Sequence, residues 1–191
     1  KKFIKYIKIN SLFLSKKKNF IKKQFQQKTL GVHFRGTSYK IARGHSFQPN
    51  LKIMIDLINF LIKKNYYKKV FVITEEQKYL DGLKKEFKDK LIFYNSHRSY
   101  KNDAFKIYPR KNHRYKLGEE TLVETLILSE CDGIISNTTN IEQAARFISK
   151  KKQTVHKIYL GTNSRNKYIA RWLWYIKTYL PKSLGGLKII E

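Results

Sequence analysis

At 191 residues, 41% hydrophobic and 14% aromatic, the chain is long enough for one domain with a real core and too apolar to remain disordered. A net charge of +27 calls for an anionic partner, but the excess is spread along a chain rich in Lys, Ile, Asn, Tyr and Phe, the pattern of an AT-rich coding bias. The single Cys131 excludes an internal disulfide and a Cys-rich metal centre and fits a reducing, cytoplasmic compartment, and no apolar run approaches the roughly 18 residues of a spanning helix.

Residues 1–28 carry ten Lys and no acid. Phe13 to Phe25 reads as a basic amphipathic helix with Phe20, Ile21 and Phe25 on one side, either a connector or a helix for an anionic membrane surface. That would make the protein peripheral at the inner face of a membrane. The chain begins on Lys, not Met, and is expected to be a piece of something longer, with 1–28 a linker and 29–191 the domain.

Thr29 to Phe34 reads as a buried strand that breaks at Arg35-Gly36-Thr37-Ser38. Pro49-Asn50 opens a helix with Ile53, Met54, Leu57, Ile58, Leu61 and Ile62 at helical spacing. Lys68 to Thr74 is a second strand, Glu75 to Lys88 a helix and Leu91 to Tyr94 a third strand. Residues 95–117 are polar and without periodicity. Gly118 to Cys131 is a helix, Gly133 to Ser136 a strand, Ile141 to Lys150 a helix, Val155 to Leu160 a strand, and Asn166 to Leu180 a helix closed by Pro181. Alternating strands and helices predict an α/β, Rossmann-like parallel sheet of about five strands with right-handed crossovers.

Ligands on such sheets bind beyond the carboxyl ends of the strands. All five ends are polar here: Arg35 to Ser38, Thr74-Glu75-Glu76, Asn95 to Arg98, Asn137-Thr138-Thr139-Asn140 and Gly161 to Ser164. Arg35 beside Gly36 suits a diphosphate, because guanidinium pairs two oxygens at once and Gly admits the backbone; a strand end with an exposed Arg is the plainer alternative. Lys40 and Arg43 would add charge. Thr138, Thr139 and Asn140 lead into a helix, giving either an anion site or an ordinary cap. Glu124 lies on a mostly apolar helix and needs a partner, either the two N–H donors of a guanine edge or an internal cation. His33 reads as a satisfied core histidine, and no metal-ligand spacing stands out.

Three stretches, HFRGTSYK, VFVITEE and LGEETLVETLILSECDGIISNTTNIEQAA, resemble in order and spacing the nucleotide-sugar half of GT-B fucosyltransferases. The relatives are the α-1,6 and nodulation-type enzymes and, distantly, the protein O-fucosyltransferases. The likeness covers residues 29–181. It implies that Arg35 holds the donor β-phosphate, that His33 lies against the nucleoside, and that Glu124 reads guanine. Thr139 falls where a Ser contacts phosphate, Glu75 and Glu76 match an acidic pair, and Gly36, Thr37, Ser38, Tyr39 and Lys40 form the loop beside the donor. GDP-fucose as donor, a glycan as acceptor, inversion and no required metal or other cofactor follow from the resemblance. The sequence departs from the pattern where Ser38 replaces an Asp and where Ile41-Ala42-Arg43 offers no catalytic acid, which leaves the base unassigned. A GT-B enzyme also has an N-terminal lobe; residues 1–28 would end it, and Arg171 to Leu180 would be the helix that crosses back. The alternatives are a basic nucleic-acid-binding module, with the Tyr- and Arg-rich 95–117 loop stacking bases, and a half-enzyme that binds a GDP-sugar without transferring it.

Overall fold

The computed structural model describes residues 8–101 and 105–189, with the backbone alone at Thr37 and Ser38. Five parallel strands, β1 (Thr29–Phe34), β2 (Lys69–Thr74), β3 (Leu91–Phe93), β4 (Gly133–Ser136) and β5 (Thr154–Lys157), form a sheet of order β3-β2-β1-β4-β5. The helices are α1 (Ser11–Gln24), α2 (Leu51–Asn65), α3 (Gln77–Phe87), α4 (His113–Leu128), α5 (Asn140–Ile148) and α6 (Lys167–Tyr179). From β1 the chain steps outward to β2 and β3, then crosses back to β4 on the other side of β1. Register follows this pattern, with Leu30 opposite Val70 on one side and Gly133 on the other. The direction of winding therefore reverses between β1 and β4, which is where an open α/β sheet leaves a crevice for a ligand.

Both faces of the sheet are covered, which is why its central strands read as nearly continuous apolar runs. Leu30, Val32, Phe34, Val70 and Val72 share one core with Met54 and Ile58 of α2 and Leu80 and Leu83 of α3. Phe71, Ile73, Ile92 and Ile134 share the other with Val123, Ile127 and Leu128 of α4 and Ala145 of α5. Gly31 lets α4 press on β1. A Cβ there would lie 2.4 Å from Leu128 Cδ1 and 3.0 Å from Cys131 Sγ, so Cys131 is a packing residue.

The amphipathic stretch near the N-terminus is helical and turned inward. Phe20 meets Phe71 and Tyr94 edge-on at centroid distances of 5.9 and 5.7 Å, and Phe25 meets Phe71 at 5.9 Å. Lys16 pairs with Glu119 and Lys17 with Glu130, tying α1 to α4 and the turn after it. The α1 apolar residues thus belong to the same core as the sheet, and the packing crosses the boundary drawn at residue 28. Among the described residues no helix is long and apolar enough to cross a membrane.

Two further differences bear on the site. Helix α4 begins at His113, a turn and a half before Gly118, behind an Asn112 cap with φ 54° and no side-chain cap bond. A start without a capping side chain leaves no signal in the sequence. After β1 the chain forms a 3₁₀ turn at Thr37–Ile41. That loop is held from outside, since Asn163 Nδ2 donates to the carbonyls of Ala42 at 3.3 Å and Ala170 at 3.1 Å. Trp174 of α6 donates its indole N–H to Gln48 O at 2.8 Å and joins a small third core with Phe47, Leu160 and Leu187.

Candidate functional site

Beyond the carboxyl ends of β1, β2 and β4 lie two cavities that meet at His33, Arg35 and Ile141. The larger, about 500 Å³, sits at the β1/β4 reversal and is walled by Arg35, Tyr39, His45, Thr138, Thr139 and Asn140. The smaller, about 40 Å³, runs toward β2 and β3 and is lined by Glu75, Ser96, Glu120 and Glu124. One end presents a guanidinium, hydroxyls and a helix N-terminus. The other presents carboxylates.

At the cationic end, Arg35 leaves β1 half-buried, with Nη1 3.5 Å from Glu75 Oε1 and its guanidinium 4.8 Å from the centre of the Phe105 ring. Opposite it, Thr139 caps α5. Its hydroxyl accepts from Glu142 N at 3.4 Å while the Glu142 carboxylate accepts from Thr139 N at 3.2 Å. The same carboxylate takes Ser136 Oγ at 3.1 Å and Asn137 N at 3.0 Å. Burial raises the Glu142 carboxyl above its ordinary value, although the Asn137 and Thr139 amides and nearby hydroxyls pull the other way. This brace holds Thr138 at φ 58°, a conformation costly for a β-branched residue, directly at the cavity wall. The sequence gives no sign of that strain.

His33 bridges the two cavities. It is buried and its Nδ1 lies 2.7 Å from Thr139 Oγ1. Burial, helped by the Arg35 charge, lowers its pKa to about 3, so the imidazole is neutral at physiological pH. A satisfied core histidine was the expectation, and it is satisfied by the residue that caps α5.

At the carboxylate end Glu124 is only 5% exposed. Its Oε1 accepts from Ser96 Oγ at 2.6 Å and from Arg98 Nη2 at 3.4 Å. Burial raises its pKa to about 7 against the opposing pull of Ser96 and Arg98. Of the two readings of Glu124, an internal cation partner is present, and the residue also faces the groove. Beside it Arg110 grips Glu120 with both terminal nitrogens, at 2.6 and 2.7 Å, and His97 N donates to Glu120 at 3.1 Å. Burial alone would raise the Glu120 carboxyl, but these donors hold it below its ordinary value.

Of the residues singled out in the sequence, His33, Arg35, Tyr39, Thr138, Thr139 and Asn140 gather at the larger cavity and Glu75 and Glu124 at the smaller. Gly36 supplies backbone at the end of β1; the side chains of Thr37 and Ser38 lie outside the described ones. Lys40 and Glu76 are not in the groove. They pair with each other at 2.5 Å and line a separate cavity. Sequence reasoning did not find His45, which lies 3.0 Å from Tyr39 Oη, or the Ser96–Arg98–Glu124 cluster. Residues 95–98 stand out as a polar strand end, but nothing local pairs Arg98 with a carboxylate 26 positions away. Among the described residues no group of three or more His, Cys, Asp or Glu side chains is placed to hold a metal ion.

No protein-family model matches the sequence, and no curated protein matches it. Solved structures do. NodZ α-1,6-fucosyltransferase co-crystallised with GDP is similar over 83% of this chain and 47% of its own, at a TM-score of 0.54 and 16% identity. Fucosyltransferase NodZ from Bradyrhizobium gives 85%, 50%, 0.53 and 16% for the same quantities. POFUT1 in complex with GDP-fucose is similar over 80% of this chain and 47% of its own, at a TM-score of 0.56 and 12% identity. The chain therefore spans about half the length of the structures it matches. At these identities the likeness is one of fold: the chain has the architecture of a Rossmann-like GT-B lobe, as its three sequence stretches led one to expect.

Proposed function

We propose that this chain is the donor-binding lobe of a fucosyltransferase that uses GDP-fucose. The observation that carries the reading is one groove, at the winding reversal of the sheet, with Arg35 and the capped start of α5 at one end and buried Glu124 at the other. A nucleoside diphosphate has that polarity. Its phosphates suit the forked cation and the start of α5 at Asn140, beside the Thr139 cap that Glu142 and His33 already engage. A guanine edge, with two adjacent N–H donors, suits an acceptor-only carboxylate, and adenine offers no such pair. Neutral His33 sits between them and costs the diphosphate no proton.

In the proposed reaction an acceptor hydroxyl oxygen bonds to the anomeric carbon as the bond from that carbon to the β-phosphate oxygen breaks, inverting the centre. The hydroxyl proton passes to a base, and GDP leaves with the electron pair. Charge on the departing diphosphate is offset by Arg35 and the α5 N-terminus, preorganised donors that need no metal in this reading. The solved neighbours are about twice as long. A second lobe carrying part of the glycan-acceptor site is accordingly part of the proposal.

Calorimetric titration with GDP, ADP and UDP, each with and without EDTA, tests it. GDP is expected to bind selectively and independently of EDTA. Arg35→Ala should weaken GDP by about 10- to 100-fold, the value of a charge-assisted phosphate contact. Equal binding of the three nucleotides, or an Arg35→Ala affinity within two-fold of the parent, would overturn the reading.

A further inference from the structure

A cavity of about 220 Å³ lies on the other side of the β2 end from the donor groove, and none of its lining residues is shared with that groove. Its walls come from four places in the chain. Backbone bonds from Ser99 N to Glu75 O and from Gln77 N to Ser99 O, both 2.9 Å, extend the sheet edge and fix one side. Tyr100 stands at the rim, and Tyr175 of α6 closes the opposite side, set edge-on to Trp174 at 5.2 Å. At the base the Lys40–Glu76 pair is nearly buried, and the Lys40 ammonium lies 4.7 Å from the Trp174 ring and 5.6 Å from that of Phe34.

The described lining of this cavity is net cationic. Lys40 neutralises Glu76, the one carboxylate among the described lining residues, and Lys78 and Lys101 remain. Among the described lining residues, three ammonium groups against one carboxylate leave a formal +2. Both remaining lysines are exposed, and among the described residues no carboxylate pairs with either. The volume falls below the roughly 300 Å³ at which drug-sized pockets begin, so it suits one sugar ring, and Tyr100 and Tyr175 offer flat faces for one. Glu75 and Glu76 are consecutive, yet one lines the donor groove and the other this cavity. The turn that carries them stands between the two cavities.

We propose that this cavity is the acceptor subsite and that the acceptor sugar carries an anionic group, a carboxylate or a phosphate or sulfate ester, held by Lys78 and Lys101. The assignment as acceptor rests on the donor-lobe reading; the preference for an anionic sugar does not.

The test is calorimetric titration of the full chain, first with GDP and then, on the GDP-saturated sample, with glucose 6-phosphate, glucuronate and glucose. The charged sugars should bind and glucose should not. Lys78→Gln combined with Lys101→Gln should weaken the charged sugars about ten-fold, as for two exposed ion pairs near the middle of their range. Lys22→Gln with Lys23→Gln, an equal loss of charge on α1, should change them less than two-fold. Equal binding of charged and neutral sugars, or an equal loss in the α1 variant, overturns the subsite while GDP binding still stands for the donor groove. If GDP fails to bind and the charged sugars still depend on Lys78 and Lys101, the anion preference holds and the acceptor role falls with the donor reading.

Discussion

The affinity for GDP should depend on pH through Glu124. Burial puts the carboxyl of this residue at about 7, up from 4.5. A guanine edge donates two N–H groups and needs the ionised form, so binding must pull the proton off. With a pKa of about 7 the carboxyl is about one-tenth ionised at pH 6 and about nine-tenths at pH 8. GDP should therefore bind about ten-fold tighter at pH 8 than at pH 6, a difference of about 1.4 kcal/mol. Phosphates also titrate near pH 6, and ADP measures that contribution because it has the same diphosphate without the guanine edge. His33 stays neutral across this window, with its pKa near 3. Other charged groups act on Glu124 from α4, the turn after β2 and the loop after β3, namely Glu120, Glu75 and Arg98, so the variant Glu124→Gln isolates the one carboxyl. Calorimetry from pH 6 to 8 should show a steeper slope for GDP than for ADP in the parent and equal slopes in Glu124→Gln. Equal slopes in the parent, or an excess that survives in the variant, would refute the assignment.

The same carboxyl sets a sign on stability. Its pKa is raised on folding, so the fold prefers the neutral form: the penalty is absent below 4.5 and complete above about 7. That interval corresponds to about 3 kcal/mol. The free chain should lose about that much stability from this group as pH rises from 4.5 to 7, and bound GDP should restore part of it.

Two further predictions concern packing. Gly36→Ala would place a Cβ 2.5 Å from Glu76 Cδ, and Glu76 is held by Lys40, so the substitution should cost about 1–3 kcal/mol in thermal unfolding. The same substitution in a Glu76→Ala background should cost much less, and an equal cost in both backgrounds would show that Glu76 is not what crowds Gly36. Phe20→Ala removes a half-buried ring from Phe71 and Tyr94 and should destabilise the chain by about 2–3 kcal/mol. A helix that served a membrane would behave oppositely, with unchanged melting and weaker sedimentation with anionic vesicles.

The sheet was legible in the sequence because a strand buried on both faces must be apolar throughout, and Val70 to Ile73 or Ile134-Ile135 leaves little else to be. The polar strand ends were legible for a related reason: a parallel sheet brings every carboxyl end to one edge, so the composition of five turns becomes the composition of one site. Partnerships across that edge were not. Arg98 reaches Glu124 only because β3 lies two strands from β1 and α4 packs against the same sheet face, and the strand order β3-β2-β1-β4-β5 is a tertiary fact. The inward face of α1 was hidden likewise, since Phe20 and Phe25 on a lysine-rich helix read the same whether they meet lipid or Phe71. In the sequence Glu75 and Glu76 are one acidic pair beside one site. Just past the end of β2, Glu75 reaches toward Arg35 and Glu76 toward Lys40. Two adjacent carboxylates thereby neutralise cations in two different cavities, and the turn from β2 into α3 that carries them stands between those cavities. If the donor lies in one and the acceptor in the other, the two substrates are separated by that short turn, which the backbone bonds from Ser99 N to Glu75 O and from Gln77 N to Ser99 O hold in place.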